Sequence, residues 1–409
     1  AVVLPGILTA MTNADTAKVD AALDALLAEH DPTTEGYEEF RGHQFDAGLA
    51  WVQYPQGNGG LGVAPQLQQN VNRRLSEAGA PPMDLSQFFI ALAAPTILTH
   101  GSDDVKQRFL RPMFTGEEKW CQLFSEPGAG SDFAGLGTRA IKDGDEWLIN
   151  GQKVWNTLAH IADWGMLVAR TDPQARKHRG MTYFALDMKA PGVDVRPLRQ
   201  ITGEAEFNEV YMTDVRVPDA DRIGAEGEGW RAALTTLMNE RTAIGGSGGG
   251  GNAPKPGSGP IAELVSAYTA NADTLAPGVR DDVMALYVRS EVLRLTNWRA
   301  AQAAKSGNPG PEGSVGKAVG AILNQDISEA VLDVMGPAGQ IDYDFTFRRP
   351  TIAALTGGTA GHAFLRARAN TIEGGTTEIM KNILGEQVLG LPGEPRSDKD
   401  IPWIDVPRG

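Results

Sequence analysis

The stretch WCQLFSEPGAGSDFAG, residues 120–135, sets three glycines, a proline, two serines and two carboxylates behind a short apolar run. Ser125, Pro127 and the glycines cannot sustain a helix or an inner strand. Gly128 and Gly130 let backbone N–H groups come close to an anion or a carbonyl. Taken alone, the stretch could be an ordinary turn, a phosphate or flavin cradle, or the seat of a nucleophilic serine. Two clusters further along favour a ligand. In KVWNT, Trp155 and Thr157 share one face of an expected strand, and a flat ring beside a hydroxyl suits a planar heteroaromatic cofactor. A buried Trp with a solvent-facing Thr is the competing reading. In GWRAALTTLMNERTAIGG, a helical turn of about 100° per residue puts Trp230, Leu234, Leu237 and Ile244 on one apolar face. Arg241 falls in the middle of that face and Glu240 at its edge beside Ala233. Charges there are costly without partners. Either they form an internal ion pair at the rim, or Glu240 is a base facing an apolar substrate, with Arg241 meeting a carboxylate, a phosphate or a loop.

A last cluster, NTIEGGTTEIMKN, carries Glu373, Gly374, Gly375, Thr376, Thr377 and Glu378 in a Gly-Thr turn that opens a helix. Thr376 or Thr377 can cap it, and the free N–H groups make a site for a polar ligand; a plain capped helix start is the alternative. Two other glycine patterns carry less. GGSGG, residues 245–249, formally matches G-x-S-x-G, but it lies in a flexible glycine run and not between a strand and a helix. GEGWRA, residues 227–232, matches G-x-G-x-x-A, but an irregular acidic loop precedes it and Glu228 would face the pyrophosphate, so it reads as a helix entry.

The elements that must position these residues change along the chain. Residues 15–120 read as helical, with apolar spacing in AKVDAALDALLAEH, QLQQNVNRRLSEAG and SDDVKQRFLRPMFTG. From about residue 140 the pattern becomes that of strands. TRAIKDGDEWLINGQKVW reads as a hairpin turning at Asp143-Gly144, followed by strands in WGMLVART, MTYFALDM, GVDVRPLR and AEFNEVYMTDVRVP. The helical period returns at Trp230. It is interrupted by the low-complexity segment at residues 245–260 and resumes in three long patterns before a polar, Pro-rich tail expected to run extended on the surface.

With 409 residues, two or three domains are expected. Lys and Arg total 37 against 51 Asp and Glu, a net charge of −14 that repels nucleic acid and anionic membranes as partners, while leaving room for a local basic pocket. Cys121 is the only cysteine, which excludes an internal disulfide and a thiolate metal cluster and suits a reducing cytoplasm. The first twenty residues lack the basic start and long apolar core of a signal peptide. No apolar run of about 18 residues is present, so no membrane insertion is expected. The six histidines show no ligand spacing such as H-x-x-x-H, and no metal is expected.

Taken in order, the clusters resemble the acyl-CoA dehydrogenase family. LFSEPGAGSD is similar to its first signature, NGQKVWNT to its flavin-facing strand, and IEGGTTEIMKNILGEQVLG to its C-terminal signature, and the resemblance runs over roughly residues 40 to 392. It implies an α+β multidomain fold: an N-terminal helical domain (1–117), a central β-barrel domain (118–226), a C-terminal four-helix bundle (227–390) and an extended tail (391–409). It implies FAD between the β domain and the bundle, usually completed by a neighbouring subunit, in a homodimer or homotetramer. On this resemblance Gln122, Phe124 and Ser125 line the flavin's pyrimidine edge, Trp155 packs on the flavin and Thr157 bonds near N5. Gly336, Thr376, Thr377 and Glu378 belong to the cofactor's side. Ser131 and Arg241 belong to the acyl-CoA substrate's side.

Many members carry the catalytic base immediately before the Gly-Thr, where this chain has Gly374; Glu373 stands one residue early. A branch resembling isovaleryl- and long-chain acyl-CoA dehydrogenases places the base on the first C-terminal helix, before an arginine, as in Glu240-Arg241. Glu240 is therefore the expected base, with Glu373 as runner-up, and its burial against an acyl chain should raise its pKa toward the operating pH. The Gly374 N–H is expected to polarise the thioester carbonyl. The implied reaction is α,β-dehydrogenation of an acyl-CoA to the trans-2-enoyl-CoA, with electrons passed to an electron-transfer flavoprotein. An acyl-CoA oxidase, or a non-catalytic subunit of a mixed tetramer, is the alternative. Two departures from the family pattern stand out. The R-x-x-F-G segment expected to clamp the partner's FAD is absent, and Asp333 replaces the customary glutamine ahead of MGPAG. Related chains with GPEGS and LGLPGEP stretches often act on unusual acyl groups, some as mixed tetramers.

Overall fold

The computed structural model describes residues 12–84, 87, 89–244, 255–305, 313–341, 346–352, 358–395, 398 and 400–407; over 241–244, 301 and 303–305 it describes the backbone. The GGSGG match at 245–249 lies outside the described residues.

Five helices come first: α1 (Asn13–Glu29), α2 (Tyr37–Asp46), α3 (Gln68–Glu77), α4 (Ile90–His100) and α5 (Asp103–Thr115). Local chemistry sets their ends. Thr12 and Asp15 cap α1 reciprocally, the Thr12 hydroxyl accepting from the Asp15 N–H at 3.1 Å. Ser102 caps α5, and Gly116, at φ 92°, stops it. Val19, Leu23, Phe40, Val71 and Leu75 form one core among α1–α3. Helix α4 buries Ile90, Leu92, Ala93, Ala94 and Ile97 and belongs to a second core, shared with the sheet.

Seven strands follow: β1 (Trp120–Leu123), β2 (Arg139–Asp143), β3 (Glu146–Lys153), β4 (Trp164–Arg170), β5 (Met181–Asp187), β6 (Val193–Pro197) and β7 (Asn208–Pro218). The expected hairpin joins β2 to β3, with Gly144 at φ 64° in the turn. The order is β1-β4-β2-β3-β7-β6, with β5 antiparallel to β4 and β1 parallel to it. Strand β1 begins where the helical reading stopped, and with four residues, of which Gln122 alone is polar, it is too short for alternation to reveal it. Side chains alternate across the sheet. Leu167, Ala169, Phe184, Leu186, Val210 and Met212 face an interior closed by the strands themselves, which fits a half-barrel. Met166, Val168, Met181 and Tyr183 face the helices.

The C-terminal helices are α6 (Gly229–Ile244), α7 (Pro260–Asn271), α8 (Val279–Lys305), α9 (Gly313–Met335), α10 (Ala360–Ala367) and α11 (Thr377–Ile383). Ile261, Leu264, Val283, Leu323, Ile327 and Val331 form the core of α7–α9. Helix α6 lies against α4 and β5. Its most buried positions are Ala232, Ala233 and Thr236, while Trp230 and Leu237 are only partly covered. The expected apolar stripe is therefore rotated. Small residues take the closest approach, and a Cβ at Gly229 would lie 2.7 Å from the Thr182 backbone. The Thr236 hydroxyl joins the three elements, 2.9 Å from that of Thr96 and 3.1 Å from that of Tyr183. Gly227 enters α6 at φ 79°, its N–H on the Thr182 hydroxyl at 3.0 Å, which is the helix-entry reading of GEGWRA.

Candidate active site

The loop after β1 is tied to the segment after β3 along its whole inner edge. The Asn156 amide donates to the Gln122 carbonyl at 2.7 Å, the Val154 N–H to the Ser125 carbonyl at 2.9 Å, and the Lys153 ammonium to the Phe124 carbonyl at 3.0 Å. These three carbonyls are thus spoken for, and any ligand must use the N–H and hydroxyl groups of the loop. Phe124 is buried and stacks on Phe133, with ring centroids 4.9 Å apart.

Beneath the loop lies an ion pair that the sequence reading did not single out. Lys153, fully buried, sits 2.8 Å from Glu126, whose carboxylate also accepts the N–H groups of Gly137 at 2.6 Å and Thr138 at 2.9 Å. Burial pushes the Lys153 ammonium down against the pull of Glu126. Burial alone would raise the Glu126 carboxyl, but Lys153 and the two backbone donors leave it below the usual range. Glu126 in the first quoted signature and Lys153 in the second were visible in the sequence; that they pair inward was not.

Trp155 and Thr157 are not strand residues. Strand β3 ends at Lys153, because Trp155 takes φ 61°, a left-handed conformation uncommon for a bulky side chain. The result holds the Trp155 ring 58 % exposed, edge-on to Phe207 at 5.6 Å, with Thr157 half-buried in the turn beyond. A strained, outward indole fits a flat heterocycle such as a flavin. The Asn156 Oδ1 atom next in sequence, buried and without a hydrogen bond, fits the same reading.

The two candidate bases differ in surroundings. Glu240, half-buried on α6, has Oε2 3.4 Å from the Gln122 amide, so the carboxylate reaches the β1 loop. Glu373 is held by Arg366 at 3.1 and 2.9 Å and by the Asn370 amide at 2.8 Å. Gly374 and Gly375 take φ 61° and 96°, which turns the chain into α11. Thr376 caps that helix, accepting from the Ile379 N–H at 3.2 Å. The Thr377 hydroxyl is buried without a partner, and Glu378 is exposed in the first turn. Gly336, at φ 58°, ends α9, and Asp333 is exposed. Ser131 is exposed at the tip of the loop. Of Arg241 only the helical backbone is described.

Residues 204–208 link the second and third signatures; the sequence reading took 205–208 as the start of a strand, whereas β7 begins at Asn208, and gave them no role at the site. Asn208 and Asn156 exchange backbone bonds at 3.1 and 3.0 Å, and the Leu158 N–H reaches the Glu206 carbonyl at 2.8 Å. On the other side His362 is 3.0 Å from Glu204, and Arg366 is 4.0 Å from Glu206. The Trp155 turn and the Gly374 turn are thereby docked on opposite sides of one short buried segment.

Away from this site, His30, Glu35 and His43 converge without any spacing in the sequence to announce it. Their imidazoles stack at 3.6 Å with planes only 14° apart, and an ion cannot lie in both ring planes at once. No described helix is long and apolar enough to cross a membrane.

Comparison with known proteins follows the same order of parts. The acyl-CoA dehydrogenase N-terminal domain model matches residues 16–117, the middle domain residues 121–215 and the C-terminal domain residues 227–389. Acyl-CoA dehydrogenase FadE34 of Mycobacterium tuberculosis is 39% identical over 348 residues, covering 85% of this chain and 45% of that protein. The chain thus spans under half the length of FadE34. Acyl-CoA dehydrogenase IpdE1 of the same organism is 35% identical over 351 residues, 86% of each chain. Among solved structures, the Tcur3481-Tcur3483 steroid ACAD is similar with a TM-score of 0.69 at 25% identity, covering 94% of this chain and 99% of that one. With three domains matched in sequence order over most of its length, the chain belongs to the acyl-CoA dehydrogenase family of flavoprotein oxidoreductases.

Proposed function

We propose that the chain catalyses FAD-dependent α,β-dehydrogenation of an acyl-CoA thioester to the trans-2-enoyl-CoA, with Glu240 as the base. The observation that carries this is the contrast between the two carboxylates: Glu240 reaches the flavin-side loop at Gln122, while Glu373 spends both oxygens on Arg366 and Asn370. FAD, when bound, accepts the β-hydrogen as hydride. The chain's own part is to hold and move a proton. Gln122 orients the Glu240 carboxylate, which takes the α-proton of the thioester. The Gly374 N–H, turned outward by its positive φ, suits the thioester carbonyl, where charge develops as the proton leaves. Trp155, Thr157, Phe124 and Ser125 supply a flat face and hydrogen-bond groups for the isoalloxazine; Gly336, Thr376, Thr377 and Glu378 serve the remainder of the cofactor. Ser131 and Arg241 serve the CoA side.

The neighbour named a steroid ACAD supports a bulky, ring-bearing acyl group as the first substrate to try. Electrons then pass to an electron-transfer flavoprotein in the cytoplasm. Assembly as a dimer or tetramer, including one with a non-identical subunit, is supported by the exposed stripe Met284, Val288, Val292, Leu295 and Trp298 along α8 and by the two-component name of that neighbour. Anaerobic bleaching of the flavin across a panel of thioesters, from short chains to steroid side-chain acids, tests the reaction. No bleaching by any of them, alone or with a partner subunit, would overturn it. Peroxide formed in air at the turnover rate would replace the flavoprotein acceptor with oxygen.

A further inference from the structure

The loop that carries Ser131 has two abutments. The inner one is the Lys153–Glu126 pair. The outer one is the turn Phe133–Gly135 and the residue before it, gripped at Asp132, Ala134 and Gly135 by groups tied to the far C-terminal segment. Lys177, nearly buried, lies 2.6 Å from Asp132 and 2.6 Å from Asp398, so one ammonium joins loop to tail. Arg170, also buried, donates to the carbonyls of Ala134 at 2.6 Å and Lys177 at 2.8 Å, with its guanidinium 4.7 Å from the centre of the Trp403 ring. Trp403, only 8 % exposed, donates its indole N–H to the Gly135 carbonyl at 3.2 Å. The segment around it is fixed to the β4–β5 connection by backbone bonds from Trp403 to Ala175 at 2.9 Å and from Ile404 to Pro173 at 3.0 Å. Between the abutments, Pro127, Gly128, Gly130 and Ser131 stand exposed, and a Cβ at Gly128 or Gly130 would meet nothing within 4 Å.

Glu126 and Ala129 close the inner half of the arch with reciprocal backbone bonds of 3.1 and 3.0 Å, while the exposed outer half, Gly130 and Ser131, takes its shape from its end at Asp132. We propose that the tail residues Asp398 and Trp403, acting through Lys177 and Arg170, form a strap that positions the outer end of this arch, and with it Ser131, for the CoA portion of the substrate. These are positioning residues that touch neither the reacting carbons nor the flavin. The proposal rests on the reading of Ser131 as a CoA-side contact. It assigns the two ends of one loop to different ligands: the Lys153–Glu126 end to the flavin, the strap end to the thioester's carrier.

The test uses the full chain, with any partner subunit it needs, and the variants Lys177→Met, Trp403→Ala and Trp403→Phe. The strap predicts that Lys177→Met and Trp403→Ala raise KM for a bleaching thioester about tenfold, the equivalent of one lost charged hydrogen bond, with kcat and flavin content within about twofold of wild type. Trp403→Phe keeps the ring beside Arg170 and should recover most of the loss. KM unchanged in Lys177→Met, or a loss of flavin that runs parallel to KM, overturns the proposal. Calorimetric binding of coenzyme A itself separates this failure from failure of the dehydrogenase reading. Weaker CoA binding in Lys177→Met, in a protein that no thioester bleaches, would leave the strap standing and remove the reaction. Equal binding, or none to wild type, removes the strap.

Discussion

Two carboxylates are candidates for the base, and they differ in what is bound around them: one reaches Gln122 of β1, the other lies in an ion pair with Arg366. On α6, Glu240 is half-buried and lies at the long end of hydrogen-bond range from Gln122. In the turn before α11, Glu373 is bidentate to Arg366 and bonded to Asn370. A carboxylate that already accepts three charged or amide donors is held in one orientation, with both oxygens engaged before any substrate arrives. The contrast teaches that a carboxylate near a signature turn can be a structural bolt, while the proposed base sits on a helix that packs against α4 and β5.

The comparison breaks most directly through the bases themselves. Glu240→Gln should lower steady-state turnover by about 10²–10⁴-fold, the usual contribution of a positioned base, with the flavin still bound, whereas Glu373→Gln should stay within about threefold. Equal losses would erase the distinction. Next in size is the buried pair under the loop. Lys153→Met leaves Glu126 enclosed without its cation and should cost about 3–5 kcal/mol in thermal unfolding, with loss of bound flavin; adding Glu126→Gln should recover part of it.

The same pair sets an acid limit. Glu126 has its pKa lowered on folding, so its stabilising contribution is complete above the unfolded value of about 4.3 and is lost as pH falls through the folded value. Flavin content measured by absorbance should hold from pH 7 to 5 and fall below that. In the Lys153→Met, Glu126→Gln double variant this acid limb should be missing. The smallest effect belongs to Glu373→Gln on stability. Its partner Arg366 keeps Glu206 nearby, and Glu373 itself is partly exposed, so about 1–2 kcal/mol of melting free energy is expected.

Much of this was legible in the sequence. The 2-residue period from Arg139 onward marks the sheet, the Asp143-Gly144 pair marks its hairpin, and the 3.6-residue period marks the helices on either side. Glu240 was singled out from its place at the edge of an apolar stripe, which the structure finds rotated toward Ala232, Ala233 and Thr236. What the sequence concealed depends on contacts between distant segments. The Lys153–Glu126 pair joins residues that read separately as a strand charge and a loop charge. The hub at Glu204–Asn208 looks like a polar connection until His362 and Arg366 close on it. The Trp155 turn was read as strand because periodicity does not report a positive φ. Trp403, in a Pro-rich tail, gives no periodic signal at all, yet it is buried against the loop that opens the site.

The account stands or falls on which carboxylate takes the α-proton. Anaerobic single-turnover bleaching of the flavin, by one thioester, in wild type, Glu240→Gln and Glu373→Gln proteins of equal flavin content, measures that step without the acceptor. The prediction is prompt bleaching in wild type and Glu373→Gln and none on the same time scale in Glu240→Gln. Prompt bleaching in Glu240→Gln, with its loss in Glu373→Gln, would contradict the assignment and move the base to the turn before α11.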